Sequence, residues 1–255
     1  MAFQLSPGIN VSEIDLTTAI PSVSTSAGAF AGYFRWGPID KVVLVDSEIT
    51  LSKIFGKPDA NSATSFFTAS NFLSYGNNLS VVRSVGANSE NSVINLSSPP
   101  LKIDNSDVFE LSFLHTNTLG AYGPFIGRYP GDLGNSLSVY ACDAGGDFSN
   151  WAYKNYFPSA PGTSDQCSAA GGSNDEIHIV VVDSNGEFSG QIGSVLETYP
   201  YASKAIDSSI NGETNYYKQV IFNKSKLVYA VDPIDYANTG NRSEEHTSEL
   251  QSRET

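Results

Sequence analysis

Positive charge is scarce in this sequence: 14 Lys and Arg stand against 27 Asp and Glu in 255 residues, a formal net charge of −13. Such a surface repels phosphate backbones and anionic headgroups, which argues against direct nucleic-acid binding and against insertion at a membrane surface. Charge of either sign is sparse, 16% of residues, against roughly 25% in ordinary soluble domains. Ser, Asn, Thr and Gly take its place, and a neutral polar surface is cheap to desolvate in contacts. Cys142 and Cys167 are the only cysteines; one bridge is possible, but free thiols in a reducing cytosol are the default. Long apolar runs are missing: Val42–Val45 and Ile179–Val182 are far too short to span a bilayer. The N-terminal stretch has neither the basic segment nor the apolar core of a signal peptide.

Patterns that carry chemistry are missing as well. His115, His178 and His246 are scattered, and with no His-x-x-x-His or Cys-x-x-Cys pair a zinc site lacks ligands. There is no Gly-x-Ser-x-Gly nucleophile elbow. Gly56-Lys57 is followed by Pro58, with no glycine at the needed distance upstream, which excludes a Walker loop. Asp183-Ser184-Asn185-Gly186 resembles a calcium loop only superficially, because its glycine comes too early, and reads instead as part of a hairpin turn, Ser184–Glu187. His178, on an alternating segment, reads as a structural histidine. The expectation is therefore no catalytic residue, no cofactor and no metal.

What is present is a succession of short elements in a mixed α/β, β-rich pattern. Residues 1–21 form an extended arm whose alternation (Ile9, Val11) slips parity at Ile14 and Leu16. Burying those four side chains yields about 6–12 kcal/mol gross, whereas ordering residues 9–16 costs roughly 8–16 kcal/mol. The arm therefore needs a partner edge to order. Residues 22–85 read as a β-α-β block. Gly28–Trp36 is a strand stopped by Gly37-Pro38, and Lys41–Asp46 is a buried-type strand. A short helix capped by Ser47 or Thr50 ends at Gly56. A second helix runs from about Ser62 to Tyr75, with Ala63, Phe66, Phe67, Ser70 and Leu73 on one side and Gly76 as its stop. Leu79–Val85 is a core strand, and the crossover implies parallel pairing.

Residues 86–128 read as a loop-rich insertion in which Val108–Leu114 is a candidate strand. Over 129–241 the expectations are strands at Leu137–Cys142, Glu176–Asp183, Tyr216–Asn223 and Leu227–Val231, a polar and aromatic excursion over 145–172, and a short helix at Val195–Lys204 interrupted by Pro200. The turn Tyr129-Pro130-Gly131-Asp132-Leu133-Gly134-Asn135 has two readings: an anion cradle of backbone N–H groups, or a turn leading into a strand. The second is favoured, since no basic residue sits inside it. Residues 242–255 begin RSEEHTSELQS, which matches one translated frame of a common short-read sequencing adapter. The natural sequence is then expected to stop at about Asn241, in a gene cut short.

Several motifs occur in order: LSPGI (Leu5–Ile9, with Pro7 and Gly8), FRWGP (Phe34–Pro38, with Trp36, Gly37 and Pro38), IFGKP (Ile54–Pro58, with Gly56), NFLSYGNNLSVVRS (Asn71–Ser84, with Gly76) and YPGDLGN (Tyr129–Asn135, with Pro130, Gly131 and Gly134). Together they resemble the amino-terminal part of the contractile tail sheath protein of T-even-like myophages, and EIHIVVVD through SNGEFSG is similar to its cyanophage branch. The resemblance implies a non-enzymatic virion protein that stacks as hexameric rings into a helical cylinder around the inner tail tube. Such a cylinder contracts on a baseplate signal and drives the tube through the host envelope for DNA ejection. Its partners are other sheath subunits, the inner tube protein, the baseplate and the tail terminator, with assembly in the bacterial cytoplasm. It also implies that Ile9, Val11, Ile14 and Leu16 exchange strands between subunits, and that this chain lacks the carboxy-terminal domain. The alternative is a β-rich adhesin or fibre module that uses Trp151, Tyr153, Tyr156 and Phe157 as a contact patch.

Overall fold

The structure, a computed structural model, describes residues 27–94, 99–116, 121–232 and, for the backbone, 246–249. The arm residues Pro7, Gly8, Ile9, Val11, Ile14 and Leu16 lie outside the described residues.

The first layer is a three-stranded sheet. Strand β1 (Ala27–Tyr33) and β2 (Val43–Val45) precede helices α1 (Glu48–Phe55) and α2 (Ala63–Leu73), and β3 (Asn78–Ser84) returns between the two strands. Ser47 caps α1 by accepting the Thr50 amide at 3.2 Å, and Gly56 ends it at φ +81°, where an L side chain is strained. Along β3 every second side chain, Leu79, Val81 and Arg83, is buried, the period of a strand with one covered face. Leu51, Phe55, Phe66 and Ala69 of the two helices close over that face with Phe34. A Cβ at Gly28 would meet the Phe72 ring at 2.6 Å, so the glycine is what lets α2 lie flat on β1.

Two expectations for this block are corrected. The parallel partner of β3 is β1, whereas β2 runs antiparallel as an edge with Leu44 63% exposed. A three-residue strand that leads straight into a capped helix leaves β3 free to fill the middle. On α2, Phe67 faces solvent, 53% exposed, and Ala69 joins Phe66 and Ser70 on the buried side. Helix α2 ends on a Ser74 cap, with the Gly76 amide donating back to the Phe72 carbonyl.

Past β3, residues 106–112 form α3 (Ser106–Ser112) in place of the expected strand. The Asn105 side chain accepts the Asp107 and Val108 amides, a cap that outweighs a weak alternation. Phe109 of α3 stacks on Tyr229 at 3.9 Å. Strand β4 (Phe125–Gly127) pairs antiparallel with β10 (Val228–Ala230), so Val93, Leu101, Ile103, Phe109, Leu114 and Ile126 share one apolar cluster with Tyr229 and Val231.

The central sheet comprises β5 (Leu137–Asp143), β6 (Glu176–Asp183) and β7 (Ser194–Ser203). Strand β6 is buried on both faces, which explains its near-continuous apolar sequence. Ile177, Ile179 and Val181 face a core shared with Tyr217, Val220 and Ile221 of α5 (Tyr217–Lys224). Val180 and Val182 face Trp151 and Phe157 of the 144–161 excursion. Beyond that excursion a short helix α4 (Asp165–Ala169) leads toward β6.

Three further expectations give way here. Residues 194–203 are a strand, because Pro200 and Tyr201 fall in a register shift opposite His178. Residues 217–224 are a helix, because burial at Tyr217, Val220 and Ile221 has helical spacing. Residues 184–193 form a longer loop, since Gly186 alone of the Asn185-Gly186 pair has positive φ. The two-residue Asn-Gly turn, with positive φ at both positions, is Asn211-Gly212, joining β8 (Ser209–Ile210) to β9 (Glu213–Thr214). Finally β11 (His246–Glu249), within the segment assigned to the adapter, runs antiparallel along β5. An open sheet edge accepts an extended backbone irrespective of its origin.

Candidate functional site: a junction of three glycine turns

The described motif turns converge. Trp36 of FRWGP leaves the first core and enters the central one, edge-on to Tyr129 (5.4 Å) and Phe188 (5.3 Å). Its amide donates to the Phe55 carbonyl at 3.1 Å, joining FRWGP to IFGKP. A Cβ at Gly56 would approach Leu133 Cδ2 at 3.1 Å, so IFGKP also abuts YPGDLGN. Gly131, at φ +134°, passes so close to the Arg35 carbonyl that a Cβ would sit 3.0 Å from it. Gly134 leaves room for Ser92 and the Trp36 ring. Gly37 at φ +102° and the buried Pro38 complete the turn. Gly76 is not brought here: it precedes β3 at the end opposite Arg83.

Arg83 holds the junction. It is 2% exposed. Its guanidinium donates to four backbone carbonyls: Nε to Phe34 at 2.7 Å, Nη1 to Gly37 at 2.9 Å, and Nη2 to Arg35 at 3.1 Å and Pro130 at 2.7 Å. Burial pulls its pKa down to about 10, with Tyr33, Asp132 and Tyr129 acting in the opposite direction, so it stays charged at neutral pH. A planar five-donor fork is the side chain suited to tying several carbonyls together. Around it, Arg35 reaches Glu187 at 3.0 Å, Asp59 at 3.5 Å and Asp132 at 4.0 Å.

The 184–193 loop closes the third side. Lys57 Nζ donates to the Ser189 carbonyl at 3.2 Å. The Asp183 carboxylate, buried at the end of β6, accepts the Phe188 and Ser189 amides and the Ser136 and Ser189 hydroxyls. Those donors hold its carboxyl below the ordinary range despite burial, which alone would raise it.

The site is a clasp. The Gly131 amide is already taken by the Glu90 carbonyl, and the turn leads through a 3-10 segment, Asp132–Ser136, into β5. That is the strand-leading reading of YPGDLGN. Among the described residues no group of three or more His, Cys, Asp or Glu is arranged to hold a metal. Both cysteines are free. His178 is satisfied by two backbone groups. Of the aromatic patch, Trp151 and Phe157 are buried, and Tyr156 alone of the four is largely exposed. Sequence reasoning missed Arg83 and Asp183, although a signal existed for the first: Arg83 continues the buried parity of Leu79 and Val81.

Part of this clasp, the FRWGP and IFGKP turns with Arg83, lies in a segment that known proteins share. The family model of the tail sheath protein Gp18 domain III N-terminal region matches residues 28–83, from β1 to the clasping arginine. A tail sheath protein of Salmonella phage ViI is 34% identical over 195 residues, 76% of this chain. The chain is a relative of the phage tail sheath proteins. A second, from Vibrio phage KVP40, is 49% identical over 79 residues, 31% of this chain and 12% of its own length. This chain spans 28% of the length of the Salmonella phage relative. A solved sheath tail protein from Desulfitobacterium hafniense superposes with a TM-score of 0.42 at 10% identity, covering 96% of this chain and 38% of its own.

Proposed function

We propose that the chain is part of a structural subunit of a contractile phage tail sheath, which polymerises around an inner tube and shortens to drive that tube through the host envelope. The observation that carries this reading is the 195-residue match to a tail sheath protein. The Arg83 junction supports it. A subunit in such a lattice must pass force between its layers without deforming, and a buried fork bonded to four carbonyls from two turns ties the first sheet to the central one. The work comes from two packings of the same subunits, a bistable interface, with no nucleotide or metal consumed. Its partners are neighbouring sheath subunits, the tube, the baseplate and the terminator, and its place is the virion tail after assembly in the host cytoplasm. Strand exchange through Ile9, Val11, Ile14 and Leu16 keeps the lattice connected.

The uninterrupted gene is expressed and imaged by negative-stain microscopy. Tubes are expected, and removal of residues 1–16 is expected to leave folded, unconnected subunits. A product that stays monomeric under all ionic conditions overturns the reading. The adhesin alternative is weakened by the burial of Trp151 and Phe157.

A further inference from the structure

His178 lies on β6 with no exposed surface, opposite Cys142 on β5 and within the register shift of β6 against β7. Its ring is stacked on Phe157 at 4.2 Å with 7° between the planes, and it meets Tyr201 edge-on at 4.6 Å. Backbone partners dictate its tautomer. Nε2 lies 2.9 Å from the Ser159 carbonyl, which can only accept, so Nε2 carries the hydrogen. Nδ1 lies 3.1 Å from the Tyr201 amide, which can only donate, so Nδ1 is bare. Tyr201 sits at φ +52°, a conformation that side-chain-bearing residues rarely adopt. One neutral imidazole thus ties the 144–161 excursion, through Ser159, to the bulge of β7, through Tyr201.

We propose that His178 is an acid-operated latch: proton uptake at Nδ1 replaces the Tyr201 N–H···N bond with two opposed N–H groups and leaves a charge walled in by Phe157 and Trp151, which water reaches only when the 144–161 excursion lifts off the central sheet. The titratable neighbours do not offset that charge. On β5 the Cys142 thiol is pushed up to about 11, first by burial and then by Asp143 and Asp147, so it is neutral. On β7 the Tyr201 phenol shares a hydrogen bond with the Ser159 hydroxyl at 2.7 Å. On the excursion, Asp147 is engaged by Ser149 and Asn150, and Lys154 by the Ser149 carbonyl. Burial lowers the His178 pKa, with the Ser159 contact opposing it. The open segment therefore binds the proton better than the closed one. Opening rises as pH falls below the ordinary 6.5, by about tenfold per pH unit, and levels off once the closed-state histidine is itself protonated.

The test is amide hydrogen exchange on the 255-residue chain between pH 8 and 4, corrected for intrinsic rates. Segments 144–161 and 199–203 are expected to lose protection about tenfold per unit below pH 6.5, while β3 stays protected. His178→Gln, which offers a donor and an acceptor but cannot take up a proton, is expected to abolish that slope. The same acid slope in His178→Gln, or a flat profile in the parent chain, overturns the proposal. Should the variant not fold, the ring C–H resonances of the parent decide. A His178 titration coinciding with the loss of protection supports the latch, and one that does not coincide refutes it.

Discussion

Replacing Arg83 by Met keeps the apolar stem and removes the fork, so it isolates what the guanidinium contributes. Four carbonyls, those of Phe34, Arg35, Gly37 and Pro130, lose their Arg83 donor in a place where the side chain is 2% exposed. At about 1 kcal/mol for each carbonyl left dry, the gross loss is about 4 kcal/mol. Methionine recovers part of the cost of desolvating a guanidinium that has no carboxylate bonded to it, so the net destabilisation is about 3 kcal/mol. Urea unfolding followed by fluorescence reads this as a lowered midpoint at unchanged slope. Arg35→Met is the comparison. Its ion pairs reach carboxylates that are 25%, 61% and 49% exposed, and exposed pairs contribute about 1 kcal/mol or less. If Arg83→Met costs no more than Arg35→Met, the four carbonyls find other partners and the fork is not what holds the turns together.

Two further substitutions test the same junction. Gly131→Ala forces a side chain into φ +134° and sets its Cβ 3.0 Å from the Arg35 carbonyl; a loss of about 2 kcal/mol is expected in the same urea assay, and an unchanged midpoint would show that the turn relaxes freely. Asp183→Asn removes the acceptor that organises the 184–193 loop. Because the folded pKa of Asp183 is depressed, its contribution is present above the ordinary carboxylate range and is lost as pH falls through the folded value. The midpoint difference between parent and variant should therefore be large at pH 7 and shrink toward pH 3. A pH-independent difference would trace the loss to shape alone.

Local chemistry was legible wherever a segment's own residues decide its state. EIHIVVVD is a strand because only an extended chain buries six successive apolar or aromatic side chains on two faces, and Ser47 and Gly56 bracket α1 because a cap and a positive φ act within one turn. The segments misread are those whose state a neighbour chooses. Residues 194–203 pair with β6 despite Pro200, because the bulge opposite His178 places the proline where no ladder bond is needed. Residues 217–224 coil because the core above Ile179 accepts the helical face made by Tyr217, Val220 and Ile221.

The junction divides in the same way. Glycine and proline at FRWGP, IFGKP and YPGDLGN announce sharp turns, since positive φ is a property of one residue. That the three turns meet was not legible, because the contacts which join them, Arg83 to Phe34 and Arg83 to Pro130, span 49 and 47 positions of chain. The sequence by itself determined an acidic chain, poor in charge and without a recognisable catalytic pattern, together with the family it resembles. Only the tertiary structure decided which arginine is buried, which carbonyls it satisfies and which histidine is held neutral, because burial is a property of what lies opposite and not of the residue itself.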